Sequence, residues 1–236
     1  MLCKRVIAAV LICNGNVVQT RQFKATNIVG KVETAVKFSA AWDADDIMLI
    51  DIGKTPWPGM LKTVEAVTQN VFVPVMVGGH INRMQQVRDV FNAGGDKVLV
   101  RTAAWMVPEF VRDVAIKCGS QAIAVCIDHD GRNVHPAPHL IAAHYAGDIV
   151  VNSTRNDGMK SGFDLEVLRI MAKTSHPIIA MGGCGKPEHA VEAFRAGADA
   201  VAIGNLLHYK EHAIVEIKRA AKAAGFPIRD SHFVVG

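Results

Sequence analysis

A short stretch of sequence occurs twice in this chain and decides the fold class. The first copy reads PVMVGG at residues 74–79 and FNAGGD at 91–96; the second reads PIIAMGG at 177–183 and FRAGAD at 194–199. In each copy an apolar run precedes a glycine pair, and a helical segment then leads to a second glycine turn. The copies lie about 103 residues apart in a chain of 236 residues, so the repeat predicts two equivalent halves.

Short β-branched apolar runs alternate with segments of helical periodicity along the whole chain. Strands are predicted at 6–12, 47–52, 73–77, 98–100, 122–127, 149–152, 178–181 and 200–203. Helices are predicted at 60–70, 82–92, 108–117, 164–173, 187–195 and 214–224. Eight strand–helix units of roughly 30 residues match an α/β fold of the (β/α)8 TIM barrel type. An open doubly wound sheet shares the alternation, but the repeat favours one barrel domain, 1–236, made of two half-barrels.

The composition narrows the class of protein. Half of the residues are hydrophobic, 20% are charged, 6% are aromatic, and the formal net charge is +4. This composition excludes a disordered tail and argues against a nucleic-acid partner. The five cysteines form no CxxC pair, and the apolar run at 6–12 is too short to span a membrane. We therefore expect a reduced, cytoplasmic protein with no membrane partner.

Glycine turns and polar residues follow several predicted strands. In a (β/α)8 barrel, reactive groups lie at the C-terminal ends of the strands. The pairs at 78–79 and 182–183 each precede a helix, whose free N–H groups attract anions. Thr102 and Asn205 follow the fourth and eighth strands. Although glycines also serve tight turns, their matched positions predict two phosphate sites on opposite sides of the barrel mouth.

Three aspartates are candidates for acid–base chemistry or ligand contact. Asp51 ends the second predicted strand, Asp128 ends the fifth, and Asp157 lies in the loop after the sixth. A carboxylate at a barrel mouth suits proton transfer, although an aspartate also caps loops and helices. The repeat predicts a counterpart of Asp128 at the end of the first strand, where Leu11 stands. Since a leucine cannot move a proton, an acid–base pair across the mouth lacks one member.

Metal and cysteine chemistry are weakly indicated. His135 and His139 have the i, i+4 spacing of a metal pair, but prolines at 136 and 138 interrupt any helix there. Cys184 has no partner base in the pattern and suits a small turn residue. We therefore expect neither a metal nor another cofactor.

Nearly the whole chain resembles the cyclase subunit of imidazole glycerol phosphate synthase, the HisF family of histidine biosynthesis. The matching segments are MLCKRVIAA at the start, LIDI with Asp51, VGG at 77–79, DKVLVRTAA from Asp96, GSQAIAVCID ending at Asp128, NDGMKSGFD from Asn156, and IIAMGGCGKPEH from Ile178. The resemblance implies a barrel that receives ammonia from a class I glutaminase docked on its N-terminal face. Such a barrel cleaves and cyclises a bis-phosphorylated substrate at its mouth.

The resemblance also implies roles at the N-terminal ends of the strands. The family's ammonia gate is a ring of four charged residues, which maps here onto Arg5, Asp46, Lys97 and Asp148. Two aspartates replace the usual glutamates, but the signs still alternate. Asp96 matches an acid that faces the glutaminase. The alternative is that exposed strand starts simply tolerate charge.

The mouth departs further from the family pattern. Leu11 replaces one of two catalytic aspartates, and Gln19 replaces a lysine. His80 replaces a third glycine, Arg101 replaces an asparagine and Asn205 replaces a serine. The connection between the fifth and sixth strands is also shorter than in the family. Without a replacement for the missing acid, general acid–base cyclisation is expected to be about 100- to 10,000-fold slower.

These departures favour a changed ammonia acceptor. The start of the chain has Thr20, Phe23-Lys24 and Val29-Gly30 after the pair Leu11-Ile12. In these residues it is similar to a branch of the family associated with acetamidino groups on nucleotide-linked sugars of bacterial surface polysaccharides. The alternatives are a working cyclase with His80 as proton carrier, a non-catalytic subunit that activates a glutaminase, and an unrelated phosphate-binding barrel such as a sugar-phosphate isomerase.

Asp128 is the predicted catalytic residue. The residues predicted to contact substrate or phosphate are Asp51, Gly78, Gly79, His80, Arg101, Thr102, Asp157, Gly158, Gly182, Gly183, Gly204 and Asn205.

Overall fold

The computed structural model describes residues 3–131 and 142–231. Its strands are β1 (Arg5–Cys13), β2 (Asn16–Arg21), β3 (Lys24–Lys31), β4 (Asp46–Asp51), β5 (Val75–Gly78), β6 (Lys97–Val100), β7 (Ile123–His129), β8 (Asp148–Ser153), β9 (Ile178–Met181) and β10 (Ala200–Ile203). Its α-helices are α1 (Val32–Ala41), α2 (Trp57–Thr68), α3 (Met84–Asn92), α4 (Thr102–Met106), α5 (Pro108–Cys118), α6 (Leu165–Met171), α7 (Pro187–Arg195) and α8 (Ala213–Ala223). None of these helices has the length and apolar character needed to cross a membrane.

Eight of the described strands close into a parallel barrel. From β4 to β10 each strand pairs with the next, and β1 pairs in parallel with both β4 and β10. The predicted (β/α)8 barrel is therefore confirmed. Parallel strands covered on both faces are buried throughout, which is why they appear in the sequence as short, nearly continuous apolar runs.

Alternation along the strands divides the core into two layers. In β1, Ile7, Ala9 and Leu11 belong to the cluster that fills the barrel interior. Val6 and Val10 belong to the larger cluster between the barrel and its helices. Successive side chains of a strand point to opposite faces, so each barrel strand contributes to both layers.

The two halves repeat their contacts at the N-terminal ends of the strands. Asp96 Oδ2 accepts a hydrogen bond from the backbone N–H of Val75 over 2.8 Å, at the start of β5. Asp199 Oδ2 accepts from the N–H of Ile178 over 3.1 Å, at the start of β9. The aspartate that closes each copy of the repeated sequence therefore fixes the start of an equivalent strand.

The β2–β3 hairpin was not among the predicted strands, for a physical reason. Most residues of β3 are exposed, so no apolar alternation marks it. The tight turn is formed by Gln22 and Phe23, which have positive φ angles of 51° and 61° and are not typical turn residues. Helix α1, which follows directly, was missed as well, whereas the barrel strands lie within a few residues of their predicted bounds.

Candidate active site

A cavity of about 750 Å³ opens at the C-terminal ends of β4, β5, β6 and β7, and we call it the mouth cavity. Its polar lining includes Asp51, His80, Arg101, Thr102 and Asp128, all predicted site residues. Asn82 and Arg83, which directly precede α3, also belong to the polar lining. A concave site with a few convergent polar groups is the usual form of a small-molecule site.

Asp128 lies at the centre of a small polar network. Its Oδ2 accepts a hydrogen bond from Arg101 Nη1 over 2.6 Å, and its Oδ1 accepts from Asn152 Nδ2 over 2.8 Å. The hydrogen bond to Asp128 raises the pKa of Arg101, so the guanidinium stays charged. Burial raises the pKa of the neighbouring Cys126 thiol well above its usual range. Asp128 thus lies in the cavity as a carboxylate that is ion-paired with Arg101.

Asp51 and the first glycine turn interlock beside this network. Asp51 is buried, and its Oδ1 accepts from the N–H of Gly53 over 3.0 Å. Gly79 has φ of 106°, and a Cβ there would overlap the backbone oxygen of Asp51. His80 also has a positive φ, 57°, a conformation that favours glycine, and its Nε2 lies 2.8 Å from the carbonyl oxygen of Gly53. The turn therefore holds Asp51 in place.

The second glycine turn faces a far smaller space. Gly182 and Gly183 have φ angles of 88° and 109°, and a Cβ on Gly183 would overlap the backbone of Gly162. They line a second cavity of about 20 Å³, together with the predicted residues Gly158, Gly204 and Asn205. The structure thus brings the predicted second phosphate residues together around this smaller cavity.

Asp157, which lines the second cavity, bonds the β2–β3 hairpin. Its Oδ2 accepts from Thr20 Oγ1 over 2.6 Å and from the N–H of Phe23 over 2.9 Å. Asn205 Nδ2 donates to the carbonyl oxygen of Thr20 over 2.9 Å, and a Cβ on Gly158 would overlap that same oxygen. The Asp157 side chain is buried, and its carboxylate accepts hydrogen bonds from the hairpin. Asp157 therefore positions the hairpin.

Leu11 occupies the structural counterpart of Asp128. Leu11 lies four residues beyond the β1 position that pairs with the first residue of β4. Asp128 lies four residues beyond the β7 position that pairs with the first residue of β8. Leu11 is buried within the interior apolar cluster and lines the second cavity. The equivalence predicted from the repeat is therefore present in the register of the strands.

The four charged residues at the opposite end of the barrel form one network, the charge ring. Arg5 bonds Asp46 over 2.7 Å and Asp148 over 3.0 Å, and Lys97 pairs with Asp148 as well. Burial raises the pKa of Asp46, while Arg5 opposes that shift. The ring lies at the starts of β1, β4, β6 and β8, directly below the interior cluster. Asp96, beside Lys97, is exposed, although one of its oxygens fixes β5.

Two further candidates from the sequence concern metal binding and cysteine chemistry. His135 and His139 lie outside the described residues. Across 3–131 and 142–231, no three His, Cys, Asp or Glu side chains come close enough to hold a metal. Cys184 is buried, and burial raises its pKa to about 12, which leaves it protonated at neutral pH.

Sequence reasoning missed several residues that shape the site. Asn152 donates a hydrogen bond to Asp128. Its place near the end of β8 could have been identified from the alternation of side chains along the strand. Met106 and Phe110 form part of the wall of the mouth cavity from α4 and α5, and nothing in their local pattern marks them. Thr20 and Phe23 belong to the unpredicted hairpin.

Comparison with known proteins agrees with this geometry. A model of the family described as "Histidine biosynthesis protein" matches residues 5–213. The HisF subunit of imidazole glycerol phosphate synthase from Thermococcus gammatolerans is 34% identical over 250 residues, covering 97% of the chain and 99% of the relative. The HisF subunits from Pyrococcus furiosus, at 32% with 97% and 99% covered, and Chlorobium luteolum, at 34% with 97% and 100% covered, are similar along the same length. The chain therefore belongs to the HisF family of histidine biosynthesis proteins.

Proposed function

We propose that this barrel receives ammonia from a class I glutaminase for use with a phosphorylated substrate, and that it has diverged from cyclisation towards the amidation of nucleotide-linked sugars. One observation carries the proposal. Leu11 stands at the counterpart of Asp128 and is packed into the interior apolar cluster. A mouth with a single carboxylate of this kind lacks the second proton carrier that cyclisation by an acid–base pair requires.

The charge ring supports the ammonia part of the proposal. Arg5, Asp46, Lys97 and Asp148 alternate in sign and bond one another at the base of the barrel interior. The interior above them is lined by small and apolar side chains, including Ala9, Ala124 and Ala202. Neutral ammonia crosses such a lining more easily than an ion, because only an ion bears a large desolvation cost.

The test is the cyclase reaction itself. Purified protein is given ammonium salts and the bis-phosphate substrate of the HisF family, and imidazole glycerol phosphate is measured. We expect a rate at least about 100-fold below an ordinary enzymatic rate. Leu11→Asp, which restores the second carboxylate, is expected to raise the rate, whereas Leu11→Ala serves as the matched control that makes room without adding a carboxylate. An ordinary rate in the unaltered protein would show that the cyclase alternative is correct.

A second function is favoured by the pairing of Asp128 with Arg101. A carboxylate engaged by a guanidinium suits a subunit that activates a glutaminase and transmits ammonia without chemistry of its own. The two functions differ in their response to Asp128→Asn. Glutaminase stimulation survives this substitution in both, but formation of an aminated product is lost only if the mouth is catalytic.

A further inference from the structure

We propose that the mouth cavity binds a planar, amidinium-type cation of its ligand, and that this cation takes the place of the Arg101 guanidinium on Asp128. This inference rests on the proposed function, because it names the charged group by which the same site recognises its ligand. An amidinium is formed when nitrogen replaces the oxygen of an amide, which is the outcome of amidation at an acetamido group. The ion pair of Arg101 and Asp128 carries the inference.

Asp128 is held in place through one of its two oxygens by neutral groups. Asn152 Nδ2 donates to Oδ1 over 2.8 Å, and the Cys126 thiol donates to the same oxygen over 3.5 Å. Both donors are buried, so they fix the carboxylate without compensating its charge. The Asp128 side chain is only 18% exposed, and a carboxylate with so little contact with water needs a cation beside it. The other oxygen, Oδ2, is therefore a cation site.

Arg101 occupies this cation site but is poorly anchored there. Its Nη1 donates to Asp128 Oδ2 over 2.6 Å, whereas its Nη2 reaches Thr102 Oγ1 only over 3.5 Å, at the limit of a hydrogen bond. The Arg101 side chain is 57% exposed. Breaking a partly exposed pair of this kind lowers the affinity of an incoming cation by at most about 5-fold. A cation that enters the mouth cavity can therefore displace the guanidinium.

The acceptor positions of Asp128 favour a planar cation with two parallel N–H groups. A carboxylate offers about four lone-pair positions, and Asn152, Cys126 and Arg101 each use one. About two positions are therefore open once Arg101 has left. An amidinium presents two parallel N–H groups in one plane, as a guanidinium does, and this fork matches a carboxylate. The N–H bonds of an ammonium group diverge, so the match is poorer.

The surroundings of Asp128 favour a weakly hydrated cation. Ile50, Leu99 and Met181 line the mouth cavity and also belong to the interior apolar cluster. Beside such side chains, the loss of hydration is the main cost of binding a cation. A delocalised planar cation is more weakly hydrated than an ammonium group, so it bears less of this cost.

Asp51, the second aspartate that lines the mouth cavity, is a poorer cation site than Asp128. Asp51 is only 4% exposed, and its Oδ1 accepts from the N–H of Gly53 over 3.0 Å. The glycine turn at Gly79 packs against its backbone. A ligand cation therefore reaches Asp128 more readily than Asp51.

Calorimetric titration at neutral pH with three probes tests the proposal: benzamidine, benzamide and benzylamine. The probes share a phenyl ring and differ only in the head group, which is a planar cation, a neutral amide of the same shape, or an ammonium. We expect benzamidine to bind about 10-fold tighter than benzamide, because it alone forms charged hydrogen bonds with the carboxylate. It should bind about 5-fold tighter than benzylamine, because of the second parallel bond. Benzamide or benzylamine as tight as benzamidine, or no binding of benzamidine, would overturn the proposal.

Replacing the displaced side chain tests the exchange itself. Arg101→Gln leaves no ion pair to break, so benzamidine should bind about 3- to 5-fold tighter while the affinity for benzamide stays the same. A purely structural role of Arg101 predicts no such gain. Arg112→Gln, which breaks the exposed pair with Asp113 on α5, is the matched control and should change neither affinity. Unchanged binding of benzamidine to the Arg101 variant would overturn the displacement.

Two carboxylate variants locate the cation. Asp128→Asn should bind benzamidine at least about 10-fold more weakly and no tighter than benzamide, because the charged acceptor is gone. Asp51→Asn should keep the preference for benzamidine. A preference that survives in Asp128→Asn, or is lost in Asp51→Asn, would show that the cation binds elsewhere.

The outcome is independent of the ammonia proposal. If a class I glutaminase is stimulated but benzamidine binds no tighter than benzamide, the amidinium site is wrong and the ammonia part of the proposed function stands. If benzamidine binds as expected but no class I glutaminase is stimulated, the proposed function fails and the amidinium site stands.

Discussion

Arg101 donates from Nη1 to Asp128 Oδ2 over 2.6 Å at the rim of the mouth cavity, so the candidate catalytic carboxylate enters any reaction already paired with a cation. The same guanidinium lines the cavity in which an anionic ligand is expected. We therefore expect a ligand anion to compete with Asp128 for the Arg101 guanidinium. Binding of the anion would then release the Asp128 carboxylate from its ion pair.

Asp128→Asn is expected to strengthen the binding of inorganic phosphate. Removing the carboxylate frees Arg101 for the ligand, and a partly exposed ion pair is worth up to about 1 kcal/mol, which corresponds to about 5-fold in affinity. Calorimetric titration of the variant measures this gain. Asp113→Asn, which alters the exposed pair with Arg112 on α5, is the matched control and should leave the affinity unchanged. An affinity that does not rise in Asp128→Asn would contradict the competition.

Lys97→Ala should destabilise the fold through Asp148. The Asp148 side chain is only 4% exposed and would keep Arg5 as its single cation. We expect a loss of about 1–3 kcal/mol in the free energy of unfolding, because a buried carboxylate loses a charged partner. Urea denaturation measures it, and Lys210→Ala, which breaks the exposed pair with Glu216, should change little. Equal stability of the two variants would mean that the charge ring contributes nothing to the fold.

Gly79→Ala should be costly, whereas Gly30→Ala should not. Gly79 has φ of 106°, and a Cβ there would overlap the backbone of Asp51. We expect a loss of at least about 2 kcal/mol in the free energy of unfolding from strain and displacement. A Cβ on Gly30 meets nothing within 4 Å, so its variant should lie within about 0.5 kcal/mol of the parent. Thermal or urea unfolding of both proteins makes the comparison.

Asp157→Ala should release the β2–β3 hairpin. The substitution removes the acceptor of Thr20 Oγ1 and of the Phe23 N–H. We expect amide hydrogen exchange in residues 16–31 to accelerate by about 10-fold or more, because two bonds to a charged group are lost. Thr26→Ala removes only the exposed bond to the carbonyl oxygen of Gln19 and serves as the control. Unchanged exchange in the Asp157 variant would show that other contacts hold the hairpin.

Cys184 should react slowly and should make stability depend on alkaline pH. Burial raises its pKa to about 12, so the folded state keeps its proton to higher pH than the unfolded state. The contribution of Cys184 to the free energy of unfolding is therefore full below about pH 9. It falls as the pH rises towards 12, by at most about 1.4 kcal/mol per pH unit. A shallower alkaline loss of stability in Cys184→Ala checks this. At pH 8 a thiol reagent should modify the exposed Cys3 and Cys118 well before Cys184.

The sequence by itself determined the barrel and its pseudo-symmetry. Buried parallel strands need continuous apolar runs, and each turn with a positive φ favours glycine, so local chemistry is enough to mark these elements. It also predicted that Leu11 stands where a counterpart of Asp128 would lie, because half-barrel symmetry makes the ends of the first and fifth barrel strands equivalent. The grouping of Arg5, Asp46, Lys97 and Asp148 at the starts of strands followed from the resemblance to the HisF family.

Only the tertiary structure decided which of these residues share a site and what space they enclose. The β2–β3 hairpin has exposed residues and an atypical turn, and it is held by Asp157, more than 130 residues away along the chain. The bond between Arg101 and Asp128, the apolar wall at Phe110 and the smaller second cavity arise from residues of different strands and helices. Contacts of this kind leave no local signal, because they depend on how distant segments pack.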